Sequence, residues 1–355
     1  MGSPRSKTHH VGLDFLRVLA IIGVVAIHSV GNRAIGSENP SSWAEAIHQY
    51  CAFCVPVFVM ISGAFAISDK QPKSRQEFLT FYKVRFSRIV IPLLFWHLTY
   101  YLYFNIDRFL TEGITLAEPK TFLQTVYIMK VAPHLYFLWL IMSLYLLTPL
   151  FSLCFRHFSL KINGLITIII LILTTLKPVL EGWTGVQFGH TIFDVGFLNI
   201  GYYLAGKFIL TLIQNRPQYK LKTRLVISST LIFCAFIILG VKTLFRIGKI
   251  QLPILLPDDS YHWILTIISA QCIFTAFALF PQLYSTRLAQ LALDAARATM
   301  FVYLAHFLVM LELRKIIPLG DTYAPAIALV IVATLVISYA VGLVLKRIPY
   351  LRRIA

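Results

Sequence analysis

Charge is what this sequence has least of. Asp, Glu, Lys and Arg make up 13% of its 355 residues, where a soluble domain carries about a quarter. Hydrophobic residues make up 58% and the mean hydropathy is +0.75. A soluble globular fold is excluded, and the chain reads as an integral membrane protein. Acids are scarcer than bases, 15 against 32, for a formal net charge of +17. That excess lies between apolar runs, not on one surface, so it reads as topology signal and lipid anchoring, and nucleic acid is not an expected partner. The five cysteines, Cys51, Cys54, Cys154, Cys234 and Cys272, fall within or at the ends of apolar runs, which leaves a disulfide framework or a zinc site without support. Cys51 and Cys54 form a C-x-x-C in an apolar segment with no further ligands nearby in sequence, and read as packing residues. There is no sequence repeat of the transporter kind and no soluble domain longer than a loop. The first apolar run is longer than a signal-peptide core and has no small-x-small cleavage pattern, so it is expected to stay as an anchor.

What is present is a series of spanning-length apolar runs, about 20 residues each. They lie near 11–30, 44–67, 89–106, 134–154, 162–180, 193–213, 225–244, 262–283, 299–317 and 325–345. The expected fold is an all-α polytopic membrane protein of about ten transmembrane helices, with residues 1–355 as one integral membrane domain between a tail at 1–10 and a tail at 346–355. With the N-terminus in the cytoplasm, the inner segments hold twice as many Lys and Arg as the outer ones, which assigns both termini to the cytoplasmic side. The third and fifth runs are the weakest and are candidates to tilt or re-enter. Only the outer loop 107–133 and the inner segment 284–298 have room for an extra helix, and the second is expected along the inner interface.

Ionisable groups inside such runs are costly, roughly 2.5 kcal/mol or more at mid-membrane, and mark function. LDFLRVLAIIGVVAIHSV, residues 13–30, carries three. Arg17 and His28 are 11 residues apart, which puts them on one helical face about 16 Å apart along the axis. Asp14, three residues before Arg17, shares that face and can pair with it. The stripe therefore combines an ion pair near the inner surface with an imidazole deep in the span. A buried ion pair plus a satisfied core histidine is the bland alternative. The shared face favours function. The inward-running helix of VPVFVMISGAF, residues 55–65, sets Ser62 and Gly63 at the depth of Arg17, with Gly63 admitting a close neighbour.

In KSRQEFLTFYKVRFSRIVIP, residues 73–92, Lys83, Arg85 and Arg88 cluster beside Phe78, Phe81, Tyr82 and Phe86. A positive-inside loop explains them, yet Arg85 and Arg88 sit one turn apart and suit a phosphate-rich cytoplasmic ligand. Further candidates are His134, placed at the outer surface at the start of a span with Trp139 deeper, and the pair Tyr303 and His306, on one face by their spacing of three. Aromatic belts and polar helix packing compete for these.

Taken in order, DFLRVLAIIGVVAIH, VFVMISG, VRFSRIVIP, HLYFLWLIMSLYLLTP and YLAH resemble the acyltransferase-3 family of bacterial membrane acyltransferases. The overall look is similar to short, stand-alone members such as the enterobacterial common antigen O-acetyltransferase. Val18 stands where many members have Gly after the motif arginine. The resemblance implies transfer of an acyl group, usually acetyl, from cytoplasmic acetyl-CoA or another acyl-CoA to a hydroxyl of an envelope glycan or its lipid-linked precursor, in a bacterial inner membrane and without a metal. It implies donor binding at Arg85, Arg88, Lys83 and Ser62, and chemistry at His28, Arg17 and Asp14. His28 has the chemistry of a general base or of a transient acyl carrier, and Arg17 that of a positioning group or an oxyanion stabiliser. His134, Trp139, Tyr303 and His306 are the acceptor candidates. The competing readings are a flippase or transporter for a lipid-linked sugar and a non-catalytic envelope scaffold.

Overall fold

The computed structural model describes residues 10–34, 42–68, 74–127, 131–186, 196, 198–215, 219–251, 256–280, 287–317 and 324–348. Among these, regular structure is helical throughout. The helices are α1 (Val11–Ala34), α2 (Ser42–Cys51), α3 (Cys54–Ala66), α4 (Arg75–Glu112), α5 (Glu118–Tyr127), a 3-10 turn (Pro133–Leu135), α6 (Tyr136–His157), α7 (Leu160–Thr184), α8 (Ile200–Gln214), α9 (Leu221–Arg246), α10 (Asp258–Ala278), α11 (Arg287–Ile316) and α12 (Ala324–Arg347). Among the described residues, nine segments are long and apolar enough to cross a membrane, α2 and α3 counting as one, and α8 is a shorter apolar helix. The protein is an all-α, multi-pass membrane protein.

Helix α1 sits centrally and packs on α2, α3, α10, α11 and α12. Leu13, Leu16, Ala20, Val24 and Val25 recur at helical spacing and are buried, while Leu19 and Ile22 on the opposite face are exposed as lipid-facing residues would be. The closest approach in the bundle is between α3 and α8. A Cβ on Gly63 would fall 1.8 Å from the Tyr203 carbonyl oxygen, and one on Gly206 would fall 1.9 Å from the Met60 carbonyl oxygen. Two glycines thus let two backbones touch, the small-residue packing that membrane helices use where burial against lipid gives little drive. The expectation that Gly63 admits a close neighbour holds, and the neighbour is backbone. Cys54 and Cys51 pack against Gly23, where a Cβ would lie 2.3 Å from the Cys54 sulfur, and both thiols are free.

Several elements differ from the sequence expectation. The span expected at 44–67 breaks at Ala52 and Phe53 into α2 and α3, just ahead of Pro56, which cannot donate the backbone hydrogen bond a continuous helix would require there. The third run does not re-enter: it lies within α4, 38 residues that rise about 57 Å, nearly twice a hydrocarbon core of about 30 Å. The 75–88 segment is therefore the first part of the same helix, capped by Ser74, whose hydroxyl accepts from the Glu77 amide at 3.1 Å. The fifth run is likewise one uninterrupted helix, α7. The interface helix expected at 284–298 is corrected too, since from Arg287 onward the chain forms the first part of α11, collinear with its span. Its alanines Ala289, Ala292 and Ala296 are buried at helical spacing, and that apolar face keeps it in the bundle. The outer loop 107–133 does contain an extra helix, α5. The run expected from 193 is regular helix from Ile200, and Asp194, an acid within that run, lies outside the described residues.

Candidate active site

Two polar regions are built on the two ends of α1. At its N-terminal end Arg17 donates to Asp14 at 2.9 Å, as the three-residue spacing requires, and Asp14 is 3% exposed. The Arg17 guanidinium lies 5.3 Å from the ring centroid of Phe65 on α3. One turn earlier on α3, Ser62 donates to the Tyr145 hydroxyl at 3.3 Å. Tyr145, from α6, is in turn covered by Arg85 of α4, whose guanidinium is 4.9 Å from that ring and 4.6 Å from Phe81. Five side chains from four helices therefore form a continuous basic and aromatic wall at one end of the bundle.

That wall opens into a cavity of about 910 Å³ lined by Phe65, Ser68, Phe78, Phe81, Arg85 and Ser152, and closed on one side by Ser74, Arg75 and Glu77 at the start of α4. The N-terminus of α4, with its unsatisfied backbone amides and positive dipole end, faces this space, which suits a phosphate group. Arg75 escaped the sequence reading. A signal for it existed, because Ser74-x-x-Glu77 is a capping box that fixes a helix start there. Of the expected donor contacts, Arg85 lines the cavity and Ser62 stands behind its wall. Lys83 and Arg88 are exposed on α4 and do not line the cavity.

Toward the other end of α1, His28 faces two imidazoles that sequence alone does not connect to it. Its ring centroid is 5.1 Å from that of His306 on α11 and 6.0 Å from that of His134, and these two are 5.3 Å from each other. His134 is 4% exposed and not at the surface. The reason is local: Pro133 opens a 3-10 turn that folds inward ahead of α6, and Tyr303 donates from its hydroxyl to the His134 carbonyl and pins that turn against α11. Tyr100 of α4 completes the wall. Its ring is 5.0 Å from His134, and its hydroxyl donates to the Leu304 carbonyl at 2.9 Å and accepts from the Leu308 amide at 3.2 Å.

The hydrogen bonds assign tautomers. Nδ1 of His306 meets the Tyr303 carbonyl at 2.6 Å, and Nδ1 of His97 meets the Leu93 carbonyl at 3.0 Å. A carbonyl only accepts, so in each neutral ring Nδ1 carries the proton and Nε2 is a bare lone pair. Neither Nε2 has a partner among the described residues, nor does either ring nitrogen of His134. His28, only partly buried, thus stands against a cluster of aromatic rings and unpaired imidazole nitrogens. Such nitrogens can accept hydrogen bonds from a hydroxyl-bearing ligand and move a proton between neighbours. Tyr303 and His306 lie on one face of α11, as their spacing predicts, and Trp139, half-buried on α6, has an indole N–H without a partner among the described residues. His97 was missed by the sequence reading, being one polar residue in an aromatic run.

An all-helical bundle with a basic, aromatic cavity at one end of its central helix and an imidazole cluster further along it has the parts of a membrane-embedded group-transfer enzyme. A family model described as an acyltransferase domain, of the acyltransferase-3 type, matches residues 10–343, and the chain belongs to that family. It is a multi-pass membrane acyltransferase that transfers groups other than aminoacyl groups. The match carries the family as a whole and no specific likeness to the enterobacterial common antigen O-acetyltransferase. Neither the curated proteins nor the solved structures compared with the chain contain a match.

Proposed function

We propose that the enzyme moves an acetyl group from cytoplasmic acetyl-CoA to a hydroxyl of a cell-envelope glycan or its lipid-linked precursor, as a single-domain protein of the bacterial inner membrane with both termini in the cytoplasm. The observation that carries this reading is the cavity at the Arg17 end of α1, whose lining combines Arg85, Arg75 and the start of α4 with the rings of Phe65, Phe78 and Phe81. Phosphates need such cations and amides, and a nucleotide base needs flat apolar faces.

In this reading the nucleotide of the donor occupies the cavity and its pantetheine arm runs along α1, past Arg17 and Ser62, toward His28. His28 takes the proton from the acceptor hydroxyl. The hydroxyl oxygen attacks the thioester carbonyl, an ester bond forms, the carbon–sulfur bond breaks, and the coenzyme A thiolate leaves with the proton returned to it. Arg17 lies about 16 Å from His28 along the helix, so it positions the donor and does not touch the reacting carbonyl. No metal is part of the scheme.

The test is calorimetric binding of acetyl-CoA to detergent-purified protein. Wild type is expected to bind, with coenzyme A competing and ATP weaker. Arg85→Ala is expected to weaken binding about tenfold or more, the size of a lost charged hydrogen bond, and Arg88→Ala to change it far less. Absence of acetyl-CoA binding by wild type would overturn the donor assignment and favour movement of a lipid-linked sugar instead.

A further inference from the structure

A second polar cluster lies near the imidazole cluster and belongs to neither region above. Lys242 of α9 is 3% exposed, and its ammonium donates to the Thr266 hydroxyl of α10 at 2.7 Å. Glu45 of α2 is 4% exposed, accepts from Gln49 at 2.6 Å and is approached by the Arg246 guanidinium at 3.5 Å. His48, one turn from Glu45, lies on α2 between Ala44, which clusters with Val30 of α1, and Cys51, which packs on Gly23 of α1, so it is level with His28. On its other side Arg246 meets Glu45 and a Cβ on Gly240 would fall 3.0 Å from the Tyr50 hydroxyl, which sets Lys242 against the same stretch of α2. His28 stands six residues before the end of α1, and His48 six after the start of α2, so both lie about 9 Å from the helix ends that face each other there. Lys242 is four residues from the end of α9, at a similar level.

A lysine at membrane depth is costly, and such groups usually meet a partner or mark a substrate path. The hydrogen bond of Lys242 goes to a neutral hydroxyl, although a carboxylate shares the cluster and is engaged by Gln49 and Arg246. An ammonium has three donors, so Lys242 can still serve an anion. Thr266 donates its own hydroxyl hydrogen to the His262 carbonyl at 2.6 Å and so only holds the ammonium in place. We propose that Lys242, held by Thr266 and with His48 beside it, is the subsite for an oxyanion, phosphate or carboxylate, carried by the acyl acceptor. The inference rests on the reading that the acceptor hydroxyl meets His28. It adds the substrate class: the acceptor is anionic, and its charge holds it at the level of His28 while the hydroxyl is presented to the base.

Two sources share this chemistry, a polyprenyl diphosphate lipid and a uronate sugar, and two probes separate them. Binding of undecaprenyl diphosphate and of galacturonate to the purified protein is measured by native mass spectrometry and by thermal shift, for wild type, Lys242→Gln, Lys242→Arg and Glu45→Gln, with acetyl-CoA affinity measured in each. At least one probe is expected to bind wild type. Lys242→Gln is expected to weaken that probe about tenfold or more. Lys242→Arg is expected to retain it, Glu45→Gln to tighten it by removing a competing anion, and acetyl-CoA affinity to stay constant. A purely structural cluster predicts loss of stability in Lys242→Gln and Glu45→Gln alike and no opposite effects on the probes. Failure of both probes to bind wild type, or equal binding by Lys242→Gln, overturns the subsite. If Lys242→Gln does not fold, Glu45→Gln decides: tightening supports the subsite and loss of binding overturns it. Loss of acetyl-CoA binding alongside intact, Lys242-dependent probe binding overturns the donor reading and leaves the anion subsite standing.

Discussion

At the residue scale the proposed chemistry turns on His28. The stripe of Asp14, Arg17 and His28 is legible in the sequence because all three belong to one helix, where spacing alone sets the face. The cluster around His28 is not legible, because His134 and His306 are 106 and 278 residues further along the chain and only tertiary packing brings their rings within 6.0 Å and 5.1 Å of it. Lys242 was hidden for a related reason: inside an apolar run a single lysine reads as a span boundary until its partners on two other helices are known. A base acting on the acceptor hydroxyl is worth about 10² to 10⁴ in rate. His28→Ala is therefore expected to lower kcat by that range while acetyl-CoA binding and thermal stability stay near wild type, measured by coenzyme A release, calorimetry and melting in detergent. Acetyl transfer at the wild-type rate would remove His28 from the role of base.

At the element scale the sequence shows where most helices lie and fails at their junctions. Apolar runs set the spans, but continuity depends on hydrogen bonding and packing: the break before Pro56 and the fusion of 75–88 with the third span leave the overall apolar content unchanged. Helix α5 is the element whose attachment can be titrated. Arg108 at the end of α4 reaches both carboxylate oxygens of Glu118 at 2.8 and 3.0 Å, and the Tyr101 hydroxyl donates to one of them at 2.5 Å. Hydrogen bonds from Arg108, then from Tyr101, hold the Glu118 carboxyl down to about 2. A carboxyl whose folded value is depressed adds stability above its ordinary value near 4.5, and loses it as pH falls toward the folded value. Proteolytic nicking of the 113–117 connection is thus expected to be constant from pH 8 to about 5 and to rise between about 4.5 and 2. Glu118→Gln should show fast nicking at neutral pH. A wild-type rate that is flat down to pH 2 would show that this carboxylate does not hold α5.

At the scale of the whole molecule the governing fact is the separation of the two regions along α1. In the proposed reaction the donor's nucleotide and its acyl carbon are then handled by different parts of the protein, the first by Arg85 and the start of α4, the second by His28 and its neighbouring imidazoles. Binding energy from the nucleotide is remote from the reacting bond, so it sets how well the donor is held and how accurately the acyl carbon is delivered. Acetyl-pantetheine, which carries the thioester and arm without the nucleotide, separates the two contributions. It is expected to be a poor donor with a strongly raised KM, to depend on His28 as acetyl-CoA does, and to be nearly indifferent to Arg85→Ala. Acetyl-CoA should lose most of its advantage over acetyl-pantetheine in that variant, because the cation that distinguishes the two donors is gone. Comparing kcat/KM for both donors in wild type, Arg85→Ala, His28→Ala and the double variant forms a cycle in which the two sites should add independently, given their distance. Equal damage to both donors by Arg85→Ala would mean that Arg85 acts on the reacting end, and the two-ended arrangement along α1 would have to be abandoned.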